Sequence, residues 1–225
     1  MIYLKEFNTQ AEYAAAVDAG EIKAPSVSLI NDPYTLQYKS FVPYGFYIQH
    51  IDGTLYTEDQ WAASGLSGDL TNGIAVVHEN ASFVVAKVDA GNSRWGGSGQ
   101  IGGLPYYNAK AEALTDYNGK NNTTILIGVL TEGAALSCAN YIFPNKQAGY
   151  LPAIGEWDIV VGNFSTINRL LTLAGGEKLI EDDRGYWSST QNDSTTSWKY
   201  RTVYARNAET IMRSSTLHIR AFATL

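Results

Sequence analysis

Few residues of this 225-residue sequence stand where side chains could do chemistry. The three histidines, His50, His78 and His218, lie far apart, and none has a second histidine or a carboxylate at metal-ligand spacing. His78-Glu79 comes nearest to a pair, but neighbours on a strand point to opposite faces. Glu181-Asp182-Asp183 lacks the alternating oxygen spacing of a calcium loop and reads as a solvated acidic turn before a strand at Tyr186. Ser188-Ser189 has no Gly-x-Ser-x-Gly setting and no visible His-Asp arrangement to activate it. The run RWGGSGQIGG (94–103) lacks the Gly-Lys-Ser/Thr ending of a phosphate loop and reads as a flexible surface loop. Cys138 is the only cysteine, so the chain can form neither an internal disulfide nor a Cys-based zinc site, and its alanine-rich neighbours predict a buried thiol. These residues predict no enzyme, no metal and no cofactor.

The distinctive segment is Gln191 to His218. Of its 28 residues nine are Ser or Thr, three are Trp or Tyr and four are Lys or Arg, in no burial pattern. Rigid aromatics among small hydroxyl side chains are the composition of a paratope, giving large contact area at little rotamer cost. In the expected strand 197–205 the even positions are Trp198, Tyr200, Thr202 and Tyr204. If Val203 and Ala205 face the core, that row faces out. The alternative is an edge region whose hydroxyl side chains meet only water.

Positioning such a face requires a frame. Apolar residues make up 45% of the chain and charged ones 17%, against roughly a quarter charged in typical domains, so a sizeable core carries a polar but weakly ionic surface. The net charge of -6 argues against nucleic acid, which is held by clustered Lys and Arg. The N-terminus has no basic region followed by an apolar run, so no signal peptide is expected. Stretches such as Ile125 to Leu130 fall far short of the ~20 residues of a membrane span, so no membrane insertion is expected.

Along the chain, a short helix is predicted within 3–19, and SVSLI and TLQYK form a hairpin about Asn31-Asp32-Pro33-Tyr34. GFYIQHIDGTLYT repeats the pattern about Ile51-Asp52-Gly53. The loop formers at 65–73 mark a candidate boundary, with residues 1–71 as a small β-rich attachment or oligomerisation module and 72–225 as the main domain. Strands at 74–77 and 82–86 come next. Helices are then expected from Asn108 to a stop at Gly119, from about 122 to 141 with Ile125, Val129, Leu136 and Cys138 inside, and over a third stretch. There Ile167, Leu170, Leu171 and Ala174 share one face, closed by Gly175-Gly176. Strands at 186–190, 197–205, 209–213 and 218–224 end the chain. Strands, helices and strands again make an α+β fold in which first and last strands can pair.

Gly149-Tyr150-Leu151-Pro152-Ala153-Ile154-Gly155-Glu156, Gly185-Tyr186-Trp187-Ser188-Ser189-Thr190 and the closing Ile219-Arg220-Ala221-Phe222 resemble one known family. It comprises the C-type-lectin-fold variable proteins diversified by retroelements, found in phage tail tips and some bacterial surface proteins. Ala111, Asp116, Gly119, Asn122-Thr123 and Cys138 fit its helical part, and the resemblance covers about 72–225. It implies a C-type lectin fold, a variable region at about 191–218 and a non-enzymatic receptor-binding role, in a phage tail tip or as a bacterial surface adhesin. The implied partner is a cell-surface protein or glycan, with a homo-oligomer such as a trimer, or docking to a tail, through residues 1–71. Trp187, Ser188, Ser189 and 219–222 would be frame. The variable face would comprise Asn192, Asp193, Ser194, Thr196, Trp198, Tyr200, Thr202, Tyr204, Arg206, Arg213 and Ser215. The calcium-binding sugar signature of lectins is absent. If diversification acts at adenines of Asn codons, Trp198, Lys199, Glu209 and Met212 cannot arise from it and should be fixed or come from other template codons.

Overall fold

The computed structural model describes the backbone of residues 6, 7, 19, 26–32 and 35–41 and the whole of residues 42–225. The helix expected over 3–19 lies outside the described residues, apart from Glu6–Phe7, which form strand β1. β1 runs parallel to β2 (Ser26–Asp32), and β2 forms the expected antiparallel hairpin with β3 (Thr35–Phe41).

The expected division at 71 falls inside a strand. β4 (Gly45–His50), β5 (Leu55–Tyr56), β6 (Thr71–Val77), β7 (Ser82–Ala86) and β13 (Phe222–Thr224) make one five-stranded antiparallel sheet in the order β13-β7-β6-β4-β5. His50 pairs with Thr71, so β4 and β5 belong to the same sheet and core as β6, β7 and β13. Helix α1 (Glu58–Ser64) sits between β5 and β6, opened by a capping box in which Thr57 and Gln60 bond each other's backbone. Its Trp61 is buried and donates to the carbonyl of Leu173.

Alternation along this sheet gives it two apolar faces. Ile48, Ile74, Val76, Phe83, Val85 and Phe222 pack with Trp157, Val160, Ile167, Leu170 and Leu171 of helices α5 (Ile154–Gly162) and α6 (Phe164–Leu173). Tyr47, Ala75, Val84, Ala86 and Ala223 join a second cluster with Leu126, Ala134, Ala135 and Cys138 of α3 (Gly119–Val129) and α4 (Ala134–Ala139). The middle strand β6 is buried on both sides, which is why its part from Ile74 to Val77 reads as a continuous apolar run.

The helical stretches are shorter than the sequence suggests. Only Lys110–Ala113 is helical (α2) in the first, and Gly119 opens α3 instead of stopping a helix. A Cβ on Gly119 would lie 2.2 Å from the Glu156 carboxylate, so glycine marks a close approach there. Residues 122–141 divide at Gly133, whose φ of 114° no helix accommodates. Val129 is exposed, and Leu126 takes the core position instead. The third stretch divides at Asn163, while Ile167, Leu170, Leu171 and Ala174 are buried as its periodicity predicts.

A second sheet has the order β11-β10-β9-β12-β8, from β8 (Gly91–Ser93), β9 (Tyr186–Gln191), β10 (Thr196–Arg201), β11 (Asn207–Met212) and β12 (Leu217–Ile219). The expected last strand splits at Arg220-Ala221, β12 joining this sheet and β13 pairing with β7 of the other. Arg220, wholly buried at the split, meets Asp89 at 2.5 Å and donates to the carbonyls of Ala86, Glu177 and Lys178. The architecture is a mixed α+β domain with mainly antiparallel sheets.

Candidate binding face

The frame of the second sheet is made from hydroxyl and amide side chains that are already spent. Ser188 Oγ donates to the carbonyl of Trp198. Thr190 Oγ1 donates to Asp116 and accepts from the Ile154 amide at the start of α5. Asn122 of α3 donates to both Asp116 and Ser189. Strand β9 is thereby pinned to two helix starts through one buried carboxylate, and Ser188, Ser189 and Thr190 serve the frame.

Glu156 lies beside this node. It accepts from Tyr150 Oη at 2.8 Å and from the Ala153 amide at 2.7 Å. Burial nevertheless outweighs these donors and pushes its carboxyl up to about 8, with the Asp116 charge adding to the effect.

The expected outward row of aromatics is corrected by the structure. Trp198 and Tyr200 are 5% and 7% exposed, and Thr202 is fully buried. Strand β10 ends at Arg201, so Val203 and Ala205, which set the expected phase, belong to a turn and say nothing about which side faces the core. β10 is also interior to its sheet, between β9 and β11. Trp198 and Tyr200 pack into the α5 cluster, donating to the carbonyl of Tyr107 and to Asp158. Thr202 donates to the carbonyl of Ile180. Buried Lys199, on the opposite side, pairs with Glu209 at 2.9 Å and donates to the carbonyls of Asp183 and Arg184.

The acidic turn is likewise tied down instead of merely solvated. Asp182 meets His218 Nε2 at 2.8 Å and Arg184 at 2.9 Å, while Glu181 pairs with Arg206. His50, too, has a carboxylate partner, Asp52, within its own turn.

Arg213 is the second correction. It is buried, with Nη1 donating to the carbonyl of Gly99 at 2.8 Å and Nη2 to Gln191 Oε1 at 3.0 Å and to the carbonyl of Asp193. Gln191 Nε2 donates in turn to the carbonyl of Leu104. Trp95 is fully buried and Ile101 nearly so, so the run 94–103 is anchored at these two side chains, with Gly97 to Gln100 exposed between them. Nothing in the sequence signals that this run lies against the 191–196 hairpin, where the amide of Gly99 donates to the carbonyl of Ser194.

What remains of the predicted face lies at the turns. Ser194 and Thr195 are exposed and Asn192, Asp193, Thr196 and Ser215 half-buried at one end, while Tyr204, Ala205 and Arg206 are exposed at the other. Asp193 folds the first turn by accepting from the amides of Thr195 and Thr196, both at 2.7 Å. Tyr204 is 83% exposed on a left-handed backbone, φ 53°, and Arg206 lies over the Phe164 ring. Along the edge strand β11, Thr210 and Met212 are exposed. Met212 is not among the expected contacts. Among the described residues no group of His, Cys, Asp and Glu could hold a metal ion, and no helix is long and apolar enough to cross a membrane.

A mixed α+β scaffold with exposed turns on a tightly bonded sheet is the class this geometry defines. No protein-family model matches the chain, and no curated protein does. Among solved structures it is similar to a fimbrial protein from Bacteroides ovatus ATCC 8483, with a TM-score of 0.60 and 14% identity over 89% of this chain and 52% of that one. The chain thus spans about half the length of that protein.

Proposed function

We propose that this chain is a non-enzymatic ligand-binding domain of the C-type lectin fold, displayed at a surface, which contacts its partner through the exposed turns of segment 191–218. The observation that carries this reading is the division of that segment by burial. Trp198, Lys199, Tyr200, Thr202 and Arg213 are locked into the frame, while Ser194, Thr195, Tyr204 and Arg206 project from it. Side chains at the turns can change without disturbing the core, the property a diversified binding face requires. An exposed tyrosine and arginine near one another are the residue types that dominate interface energetics.

Of the two settings such a domain could have, likeness to a fimbrial protein favours a bacterial surface adhesin over a phage tail tip. The partner is a cell-surface protein or glycan. Attachment to a larger assembly, or oligomerisation, falls to the part of the chain before residue 42.

Arrays of extracellular proteins and glycans test the reading. The chain is compared with a variant carrying alanine at Ser194, Thr195, Tyr204 and Arg206. A ligand bound by the first and lost by the second, with the native circular dichroism kept, is expected. A ligand bound equally by both would contradict the assignment of the face.

A further inference from the structure

A groove unrelated to segment 191–218 runs along helix α3. Two adjoining cavities, about 440 and 530 Å3, share Lys120, Thr124, Tyr150 and Thr224 in their walls and so form one channel. One bank is α3, and the other is the end of β13 at Thr224. The β6–β7 turn at Asn80–Ser82 closes one end, and residues 147–149 close the other.

Helix α3 presents two polar faces with different fates. Asn122 and Thr123 point inward and are fully bonded, to Asp116 and Ser189 and to the carbonyls of Gly119 and Leu151. Lys120, Asn121 and Thr124 point outward into the groove. Lys120 and Asn121, with Ser82 and Thr224 opposite, make no side-chain bond to another described residue, so their donors and acceptors are free for a ligand.

The lining selects a ligand class. The amide of Asn121 and the hydroxyls of Ser82 and Thr224 offer mixed donors and acceptors, as vicinal hydroxyls need, while Thr124 Oγ1, which donates to the Lys120 carbonyl, and Asn80, whose amide donates to Tyr117 Oη, can still accept. The half-buried Tyr117 offers a ring against which the C–H face of a pyranose can lie. Among the described residues Lys120 is the only cation in the wall of the first cavity, and Glu156 at its floor is already occupied by Tyr150 and the Ala153 amide. The α3 N-terminus opens beside Lys120 and adds positive potential to the lysine's charge. Cations are therefore not catered for, and one negative group is.

We propose that this groove is a saccharide subsite for a sugar bearing a carboxylate, its acid at Lys120 and its ring against Tyr117. The site goes beyond the proposed binding face and shares none of its residues, so it would stay constant while the turns vary.

Saturation-transfer NMR on the full chain tests it, with methyl β-D-glucuronide, the methyl glycoside of N-acetylneuraminic acid and neutral methyl β-D-glucoside as probes. One acidic probe at least should bind with a Kd on the order of 1 mM. Lys120→Ala should weaken it at least about fivefold, the loss of one charge-assisted contact. Thr124→Trp should fill the groove and abolish transfer. Both positions are exposed, so melting temperatures should hold. The four-alanine turn variant should keep the signal even if the proposed face is misassigned. Absence of transfer to both acidic probes, equal affinity for the glucoside, or transfer that survives Thr124→Trp would each overturn the proposal.

Discussion

The guanidinium of Arg213 lies over the indole of Trp95, 4.3 Å from its centroid, and joins three segments far apart in sequence. The stack fixes the glycine-rich run, and the same guanidinium holds the hairpin through the carbonyls of Asp193 and Thr196. An arginine that composition would place on a variable surface is instead the fastening beneath it.

Arg213→Ala should therefore destabilise the domain by about 2–4 kcal/mol in urea denaturation, because several carbonyls lose their donor and a buried ring loses its cover. Arg213→Lys should recover only part of this, since an ammonium cannot fork between partners. Amide exchange at Gly99 should quicken in both variants. A cost below about 0.5 kcal/mol, the range of ordinary surface substitutions, would show the cluster to be incidental.

Trp198 and Tyr204 should separate cleanly. Trp198→Ala empties a packed site and should cost about 3–5 kcal/mol. Tyr204→Gly should be neutral or stabilising by up to about 1 kcal/mol, since glycine relieves the left-handed backbone and no core contact is lost. A shared, large loss of thermal stability in both would contradict the division of the segment by burial.

The pH dependence of stability should carry the mark of Glu156. Its folded carboxyl, raised mainly by burial to about 8, holds a proton that the unfolded chain releases near 4.5. The stabilising contribution is complete below about pH 4.5 and declines as pH rises to 8, with a slope on the order of 1 kcal/mol per pH unit. Glu156→Gln, which keeps an acceptor for the Ala153 amide, should flatten that decline when unfolding is measured from pH 5 to 8. An unchanged slope would place the proton elsewhere.

Truncation locates the domain edge. Removing residues 1–41 should leave a folded, cooperative domain. Removing 1–71 takes away β4 and β5 with buried Ile48, Leu55 and Trp61, a loss on the order of 10 kcal/mol that exceeds the stability of many domains. A soluble 72–225 fragment with native circular dichroism would restore the boundary at 71.

The elements are legible where periodicity and local turn chemistry decide them. Asp52-Gly53 turns the chain between β4 and β5 as expected, whereas β2 runs on through Asn31 and Asp32, which pair with Leu36 and Thr35, and Ile167, Leu170 and Leu171 mark one face of α6 before a glycine with φ 70°. Long-range matters stay hidden. Gly133 and Asn163 break helices that propensity alone would continue, and Gly119 is glycine for the sake of a carboxylate 37 residues away. The face of β10 is not legible because Val203 and Ala205, which suggest its phase, lie past the strand's end. Polar composition also does not distinguish Thr202 and Arg213, whose polar groups are consumed by backbone carbonyls, from Ser194, whose side chain is exposed. Two of the four residues expected to be fixed, Trp198 and Lys199, prove buried, whereas Met212 is 53% exposed and owes its constancy, if it has any, to no packing demand.

The central claim is that the turns vary while the frame does not, and sequencing sister copies of the gene with the DNA downstream tests it most directly. The account predicts a near-copy of the segment encoding 186–225, differing at adenines and followed by a reverse transcriptase. Substitutions among sisters should concentrate at Asn192–Thr196, Tyr204–Arg206 and Thr210 on the exposed edge of β11, and spare Trp187, Ser188, Trp198, Lys199, Met212 and Arg220. Changes spread evenly over buried and exposed positions, or a locus with no such copy, would contradict it.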